Sequence, residues 1–195
     1  GRGNVFLLAE AIQYAINRGA RVINLSLGLR SNSNLLDEVI YDAAEDGVIF
    51  VGAAGNLIDS TIIYPAGYNK VIGVAAVDAN DVRADFSNYG DWIDIAAPGV
   101  QITSPFPISG YASWSGTSMA APFVSGQAAL LANMESNHEN NIVARIRESA
   151  QDIDKQNPDY KNQLGKGRID VYASMTVYGT PPPTATPAPT ATPTP

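Results

Sequence analysis

The stretch VIFVGAAGN at residues 48–56 decides the fold. Four β-branched or aromatic residues follow one another, and a glycine-rich turn comes directly after them. A strand that is apolar on both faces is typical of a parallel sheet that helices cover on both sides. The segments RVINLSL at 21–27 and VIGVAAV at 71–77 show the same kind of run. Three such runs predict a mostly parallel sheet.

Helical patterns alternate with these runs, because apolar residues recur there at spacings of three and four. The sequence predicts helices over residues 5–18, 34–46, 118–133 and 139–151, and short strands near 92–96 and 111–114. Strands that alternate with helices indicate an α/β fold with three layers, αβα, around the mostly parallel sheet. Sites in such folds lie at the carboxyl ends of the strands, where Gly28 and Asn56 are placed.

The composition is that of a globular protein with an acidic balance. The 195 residues are 45% hydrophobic and 16% charged, which is enough apolar material for one core. A formal net charge of −7 without any basic run argues against a nucleic acid or an anionic membrane as partner. The chain has no cysteine, so a thiolate nucleophile and cysteine metal sites are excluded. No apolar run reaches about 18 residues, so no membrane span is predicted.

The last residues differ in kind from the rest. Residues 180–195 contain only Pro, Thr and Ala, a composition that cannot form a core. We expect an extended spacer of about 50 Å, at ~3.1 Å per residue. The globular part is therefore predicted to be residues 1–179. Spacers of this type resemble the linkers of secreted, multi-domain microbial enzymes, and they favour further domains beyond the linker. The alternative is an end without a role.

The string GTSMAAP at residues 116–122 carries the chemistry. Gly116 permits a sharp bend, Ser118 stands at the start of a predicted helix, and Pro122 falls in its first turn, where proline is tolerated. A helix N-terminus favours negative charge, such as that of a tetrahedral oxyanion. Most serines at helix starts, however, only cap the helix. The residue types alone leave both interpretations open.

The complete string resembles the nucleophile motif of the subtilisin-like serine peptidases, the subtilases. Other segments resemble landmarks of that family and occur in the family's order. They are residues 22–28, 51–56, 64–66 with 71–74, 86–90, 96–99 and 165–170. The resemblance covers roughly residues 3–175. It implies a subtilisin-like fold of which this chain forms the C-terminal part, with the N-terminal strands missing.

The resemblance also implies roles for individual residues. Ser118 would be the nucleophile, Asn56 and the backbone N–H of Ser118 would bind the oxyanion, and Thr117 would support them. For peptide binding, the implied residues are Ser26, Leu27 and Gly28 as a pairing strand, Ala53, Ala54 and Gly55 as pocket walls, and Ile63 as pocket floor. A bulky isoleucine there suggests a shortened pocket.

A serine nucleophile also needs a general base and a group that orients it. In the subtilases these are a His in an H-G-T-like motif and an Asp in a D-T-G-like motif, and neither string occurs here. The one histidine, His138, follows the helix of Ser118 and should lie about 22 Å away, whereas a base must be within about 3 Å. The related sedolisins use no histidine, but they place Asp where Asn56 stands.

We therefore expect a serine endopeptidase by family whose triad Asp and His are absent from this chain, so that the chain alone is inactive. The alternative is a pseudo-enzyme remnant with a binding or structural role. The missing strands should leave an exposed sheet edge and apolar surface, which predicts poor solubility or association. The family resemblance and the linker favour a secreted or cell-surface protein that acts on proteins or peptides.

No cofactor is expected for the chemistry itself. Some subtilases hold a weak structural cation, and the resemblance implies ligands at the carbonyls of Ala66, Tyr68 and Val71 and the carboxylate of Asp94. Oxygen ligands of this kind suit Ca²⁺ or Na⁺. The alternative is an ordinary turn beside a solvated Asp94.

Overall fold

The computed structural model describes residues 3–107, 110–134 and 139–176, with only the backbone of residues 139 and 140. His138, the predicted boundary at residue 179 and the predicted linker at 180–195 lie outside the described residues. The centre of the fold is one sheet of four parallel strands in the order β1-β2-β3-β4. The strands are β1 (Val22–Leu25), β2 (Ile49–Ala53), β3 (Val71–Val77) and β4 (Ile95–Pro98).

Helices cover both faces of this sheet, as the sequence predicts. They are α1 (Val5–Asn17), α2 (Asn34–Glu45), α3 (Thr117–Met134), α4 (Glu139–Glu148) and α5 (Val171–Thr176). Side chains of α1 and α2 pack with Phe50 in one cluster, and those of α3 and α4 pack with the neighbouring Val51 in another. Since consecutive residues of a strand point to opposite faces, β2 is buried on both sides. The three-layer αβα architecture is confirmed.

Local sequence signals define the first two helices. The side chains of Asn4 and Ser33 accept hydrogen bonds from the N–H groups of Leu7 and Leu36, at 2.9 and 3.4 Å, and so cap α1 and α2. Each helix then ends before a glycine with positive φ, Gly19 or Gly47. Among the described residues, no helix combines the length and the apolar character that a membrane crossing requires.

An antiparallel hairpin of β5 (Ile102–Pro105) and β6 (Tyr111–Trp114) leads from β4 to α3. The N–H of Gly116 donates to the carbonyl of Gly99 at 2.8 Å, so the start of α3 is tied to the end of β4. Helix α3 therefore begins at the carboxyl edge of the sheet. This connection places Ser118 near the carboxyl ends of β1 and β2.

Candidate active site

Ser118 lies in the first turn of α3 and is half-buried. Its Oγ donates to the carbonyl of Ser26 at 3.4 Å, and the Oγ of Ser26 donates to the carbonyl of Ser118 at 2.9 Å. The N–H groups of Met119 and Ala120 both donate to the carbonyl of Gly116. Within the described residues the N–H of Ser118 donates no hydrogen bond, as is usual for the first turn of a helix. This donor remains available to a ligand.

Asn56 follows the end of β2, and Thr117 fixes its side chain. The N–H and the Oγ1 of Thr117 both donate to the Oδ1 of Asn56, each at 3.0 Å. The same Oγ1 accepts from the N–H of Gly55 at 3.0 Å. Because the amide oxygen is occupied twice, the Nδ2 group of Asn56 is left as a donor, and it makes no hydrogen bond to the described residues. Thr117 itself is 1% exposed, so this arrangement is buried behind the donor.

The two unused donors both lie near Gly116. A Cβ placed on that glycine would lie 3.4 Å from the Nδ2 of Asn56 and 3.7 Å from the backbone nitrogen of Ser118. Two N–H donors beside a hydroxyl, at a helix N-terminus, can stabilise an oxyanion formed by attack of that hydroxyl. Ser118, Asn56 and Thr117 thus lie together, and the roles predicted for them stay predictions.

The predicted peptide-binding residues lie at the ends of β1 and β2. Leu27 and Gly28 are exposed directly after β1, and Ser26 is half-buried beside Ser118. Ala53 ends β2, and both it and Ala54 are buried. Their role in binding a substrate stays a prediction.

Ile63 fills the space between the two strand ends. Ile63 is 5% exposed. A Cβ on Gly28 would lie 2.5 Å from the Cγ2 of Ile63, and a Cβ on Gly55 would lie 2.8 Å from its Cγ1. Gly55 also has a φ of +101°, which favours glycine at this position. A short pocket between the walls is consistent with this packing.

A groove of about 520 Å³ lies beside Ser118. Its apolar lining comes from the hairpin and from α3, namely Ile102, Phe106, Trp114, Met119 and Phe123. The sequence indicates the hairpin only in part, so it does not predict this groove.

The residues predicted to bind a cation contact other groups of the protein, and the cation site stays a prediction. The carboxylate of Asp94 accepts from the N–H of Gly73 at 2.8 Å and lies 3.4 Å from the guanidinium of Arg147. The carbonyl of Tyr68 accepts from the N–H of Val71 at 3.0 Å. The carbonyl oxygen of Ala66 lies 2.9 Å from the position that a Cβ on Gly73 would take. Arg147 thus supplies the positive charge beside Asp94.

No described histidine or carboxylate touches Ser118. The only hydrogen bond of its Oγ within this part of the chain goes to the Ser26 carbonyl. The described residues also bring no group of three or more His, Asp or Glu side chains together that could hold a metal ion. The site therefore contains a hydroxyl and two unused N–H donors, and no described histidine or carboxylate accepts a hydrogen bond from that hydroxyl.

Known proteins resemble this chain in sequence and in fold. The model of the family described as Subtilase family matches residues 1–167, which is most of the chain. The chain belongs to the subtilase family.

Individual subtilases match over most of this chain. The thermophilic serine proteinase of Bacillus sp. (strain AK1) is 45% identical over 178 residues, which are 90% of this chain and 43% of that protein. Thermitase of Thermoactinomyces vulgaris is 41% identical over 175 residues, 90% of this chain and 61% of thermitase. The chain thus spans about half the length of the curated relatives it matches.

Solved structures show the same fold. The prenylagaramide maturation protease PagA superposes with a TM-score of 0.81 at 29% identity, over 89% of this chain and 67% of that one. A protease of Pseudoalteromonas arctica PAMC 21717 gives a TM-score of 0.81 at 29% identity, over 90% of this chain and 59% of that one. The subtilisin-like α/β fold predicted from the sequence is confirmed.

The structure adds polar residues of this subtilase that sequence reasoning does not find. Asn24 donates from Nδ2 to the Oγ of Ser26 at 2.8 Å and accepts from the Oγ of Ser125 at 2.9 Å, which joins β1 to α3. Asn88 forms hydrogen bonds with Gly55 and Leu57, the two chain neighbours of Asn56. The sequence marks residues 86–90 as a family landmark, but it gives no signal for the role of Asn88.

Proposed function

We propose that the protein to which this chain belongs is a serine endopeptidase in which Ser118 is the nucleophile. The observation that carries the proposal is that two unused donors, the Asn56 Nδ2 and the Ser118 N–H, both lie near Gly116 beside the Ser118 hydroxyl. The two hydrogen bonds from the buried Thr117 fix the orientation of the Asn56 amide, although Asn56 itself is exposed. Belonging to the subtilase family supports the same reaction.

The proposed reaction proceeds through an acyl-enzyme. The Oγ of Ser118 attacks the peptide carbonyl, and its proton passes to a general base. The carbonyl oxygen becomes an oxyanion that Asn56 and the Ser118 N–H stabilise. The C–N bond then breaks, the amine leaves with the proton, and water hydrolyses the Ser118 ester. Loss of one oxyanion donor lowers kcat by about 10²–10³ in a subtilisin, the case from which this magnitude is taken.

We further propose that the base and its orienting carboxylate come from a part of the protein outside these 195 residues. Ser118 and Met134 are 16 positions apart in α3, so about 24 Å of helix separates Ser118 from the end that leads to His138. Deprotonation requires contact within about 3 Å. The chain alone should accordingly have little activity.

The substrate is proposed to be a protein or peptide in extended form. The exposed backbone at residues 26–28 can pair with such a chain as an added strand. Ile63 shortens the pocket beside it, which favours small side chains before the scissile bond. A pseudo-enzyme with a purely binding role is the second possibility, but it would have no use for the preserved arrangement of Ser118, Asn56 and Thr117. The linker composition supports secretion, and the cell surface is the alternative location. It also supports further domains as partners of this one.

Fluorophosphonate labelling of the full-length protein tests the proposal. The label should appear at Ser118, located by mass spectrometry, and Ser118→Ala should remove both the label and peptide hydrolysis. Ser149→Ala, directly after α4, is the matched control and should keep both, because the Ser149 hydroxyl donates to the carbonyl of Ile146 and not to the site. The isolated 195-residue chain should hardly be labelled. Hydrolysis that survives Ser118→Ala, or a label on another residue, would overturn the proposal.

A further inference from the structure

Asn88 is a fully buried polar residue in the loop between β3 and β4. Its N–H donates to the carbonyl of Gly55 at 3.0 Å. Its Oδ1 accepts from the N–H of Leu57 at 2.7 Å, and its Nδ2 donates to the carbonyl of Thr61 at 3.0 Å. Gly55 and Leu57 are the two neighbours of Asn56 in the chain. One side chain and its own backbone therefore hold the main chain on both sides of the oxyanion donor.

The segments around these residues also pair with each other. The N–H of Ile58 donates to the carbonyl of Phe86, and the N–H of Tyr89 donates to the carbonyl of Asp59, each at 3.2 Å. Ile58 has a φ of +66°, a conformation that an isoleucine rarely adopts without support from its surroundings. The loop after β2 thus takes its shape from the segment that contains Asn88.

That segment is in turn fixed to the central sheet. The Oγ of Ser87 accepts from the N–H of Ala76 in β3 at 2.9 Å and donates to the carbonyl of Asn88 at 3.0 Å. The guanidinium of the buried Arg83 donates to the carbonyl of Ser87 at 2.6 Å. Asn88 is therefore a rigid support rather than a mobile loop residue.

We propose that Asn88 is a positioning residue for the oxyanion donor Asn56. Thr117 holds the side chain of Asn56 from α3, and Asn88 holds its main chain from the β3–β4 loop. An asparagine suits this place because its amide accepts from one backbone group and donates to another. The proposal rests on the proposed function, since it needs Asn56 to act on the reacting carbonyl. A misplacement of about 1 Å can lower a rate about 10²-fold.

A double-mutant cycle in the full-length protein tests this proposal. Asn88→Ala should lower kcat about 10- to 100-fold, with a smaller change in KM. In an Asn56→Ala background the same substitution should change kcat by less than about threefold, because the donor it positions is already gone. A purely structural role for Asn88 would give the same factor in both backgrounds.

Gln127 provides the control. It is 1% exposed, and its Nε2 donates to the carbonyl of Asp170 at 3.3 Å. Gln127→Ala also removes a buried side-chain amide and should lower the melting temperature, but it should leave kcat unchanged, because this hydrogen bond does not involve the segments around Asn56 and Asn88. If Asn88→Ala does not fold, Asn88→Ser enters the same cycle, since serine keeps a small polar group without burying a charge.

The outcomes separate this inference from the proposed function. If Asn56→Ala alone leaves kcat unchanged, the proposed oxyanion hole is wrong, and the role of Asn88 is wrong with it. If Asn56→Ala lowers kcat but Asn88→Ala has no effect, or has its full effect in both backgrounds, only the role of Asn88 is overturned. A loss of kcat in Gln127→Ala equal to that in Asn88→Ala would also overturn it.

Discussion

Asp94 is a carboxylate that the fold holds largely away from water, directly before β4. Its side chain is 21% exposed, and burial raises its pKa above the ordinary value, while the hydrogen bond from Gly73 and the charge of Arg147 act in the opposite direction. A raised pKa means that the folded protein binds this proton more tightly than the unfolded chain does. The carboxyl therefore contributes stability below its unfolded pKa, and that stability is lost as the pH rises through its folded pKa.

Asp94→Asn should remove this pH dependence, because the amide resembles the protonated carboxyl. We expect the difference in melting temperature between the variant and the wild type to shift in favour of the variant between pH 4 and pH 7. Thermal unfolding in a buffer with a chelator, in the Ser118→Ala background, measures it. A constant difference over this range would show that Asp94 is not the group responsible. Adding Ca²⁺ should change neither protein if Arg147 is the partner of Asp94.

Single residues differ in how well the sequence predicts them. Ser118, Thr117 and Asn56 stand in contiguous segments that resemble landmarks of the family, so the resemblance implies their chemistry although the residue types alone do not. Asn88 acts on Leu57 from 31 positions away, and nothing between them indicates the contact. Arg147 lies on α4, so its pairing with Asp94 is equally invisible in the sequence. The sequence does not reveal contacts between residues that only the tertiary fold brings together.

The start of helix α3 depends on a close approach to the end of β4. A Cβ on Gly99 would lie 2.9 Å from the carbonyl oxygen of Gly116 and 2.6 Å from the Cβ of Ala76. Gly99→Ala should therefore push the first turn of α3 away from the sheet. Overpacking of this kind typically destabilises a protein by about 1–3 kcal/mol. Because Ser118 lies in that turn, kcat should fall as well.

Gly126, in the middle of the same helix, has no atom within 4 Å of the place a Cβ would take. Gly126→Ala is the matched control and should stabilise the protein by about 0.5–1 kcal/mol, because alanine favours the helix. Urea unfolding of both variants in the Ser118→Ala background compares them. A Gly99→Ala variant as stable as the wild type would contradict the close packing of α3 on β4.

The sequence predicts a strand or helix better when more of its residues are buried. β3 spans Val71–Val77, as the apolar run predicts, because all of its residues are buried. β1 is shorter than the run at 21–27, since it lies at the edge of the sheet and Asn24 is exposed. The strand predicted near 92–96 begins at Ile95. β5 and α5 are short and partly exposed, so they give no periodic signal.

At the scale of the whole molecule, large apolar side chains are exposed to solvent in two regions of the described structure. Phe6, Leu7 and Tyr14 are 58–70% exposed on α1, and Phe106, Tyr111 and Trp114 are 51–77% exposed on the hairpin beside Ser118. Within the described residues β1 pairs only with β2, so its other edge keeps unpaired N–H and C=O groups. These features together favour contact with another polypeptide.

The isolated 195-residue chain should therefore self-associate. We expect sedimentation velocity to show species larger than 20.6 kDa between about 5 and 100 µM, growing with concentration, because exposed apolar surface and a free strand edge both promote association. The full-length protein with Ser118→Ala is the control, and it should sediment as a discrete species if its remaining part covers the same surfaces. A monodisperse 20.6 kDa monomer with a cooperative thermal transition would show that these surfaces are tolerated in water. In that case the hairpin and α1 would need no covering partner, and the sheet edge at β1 would be stable as it stands.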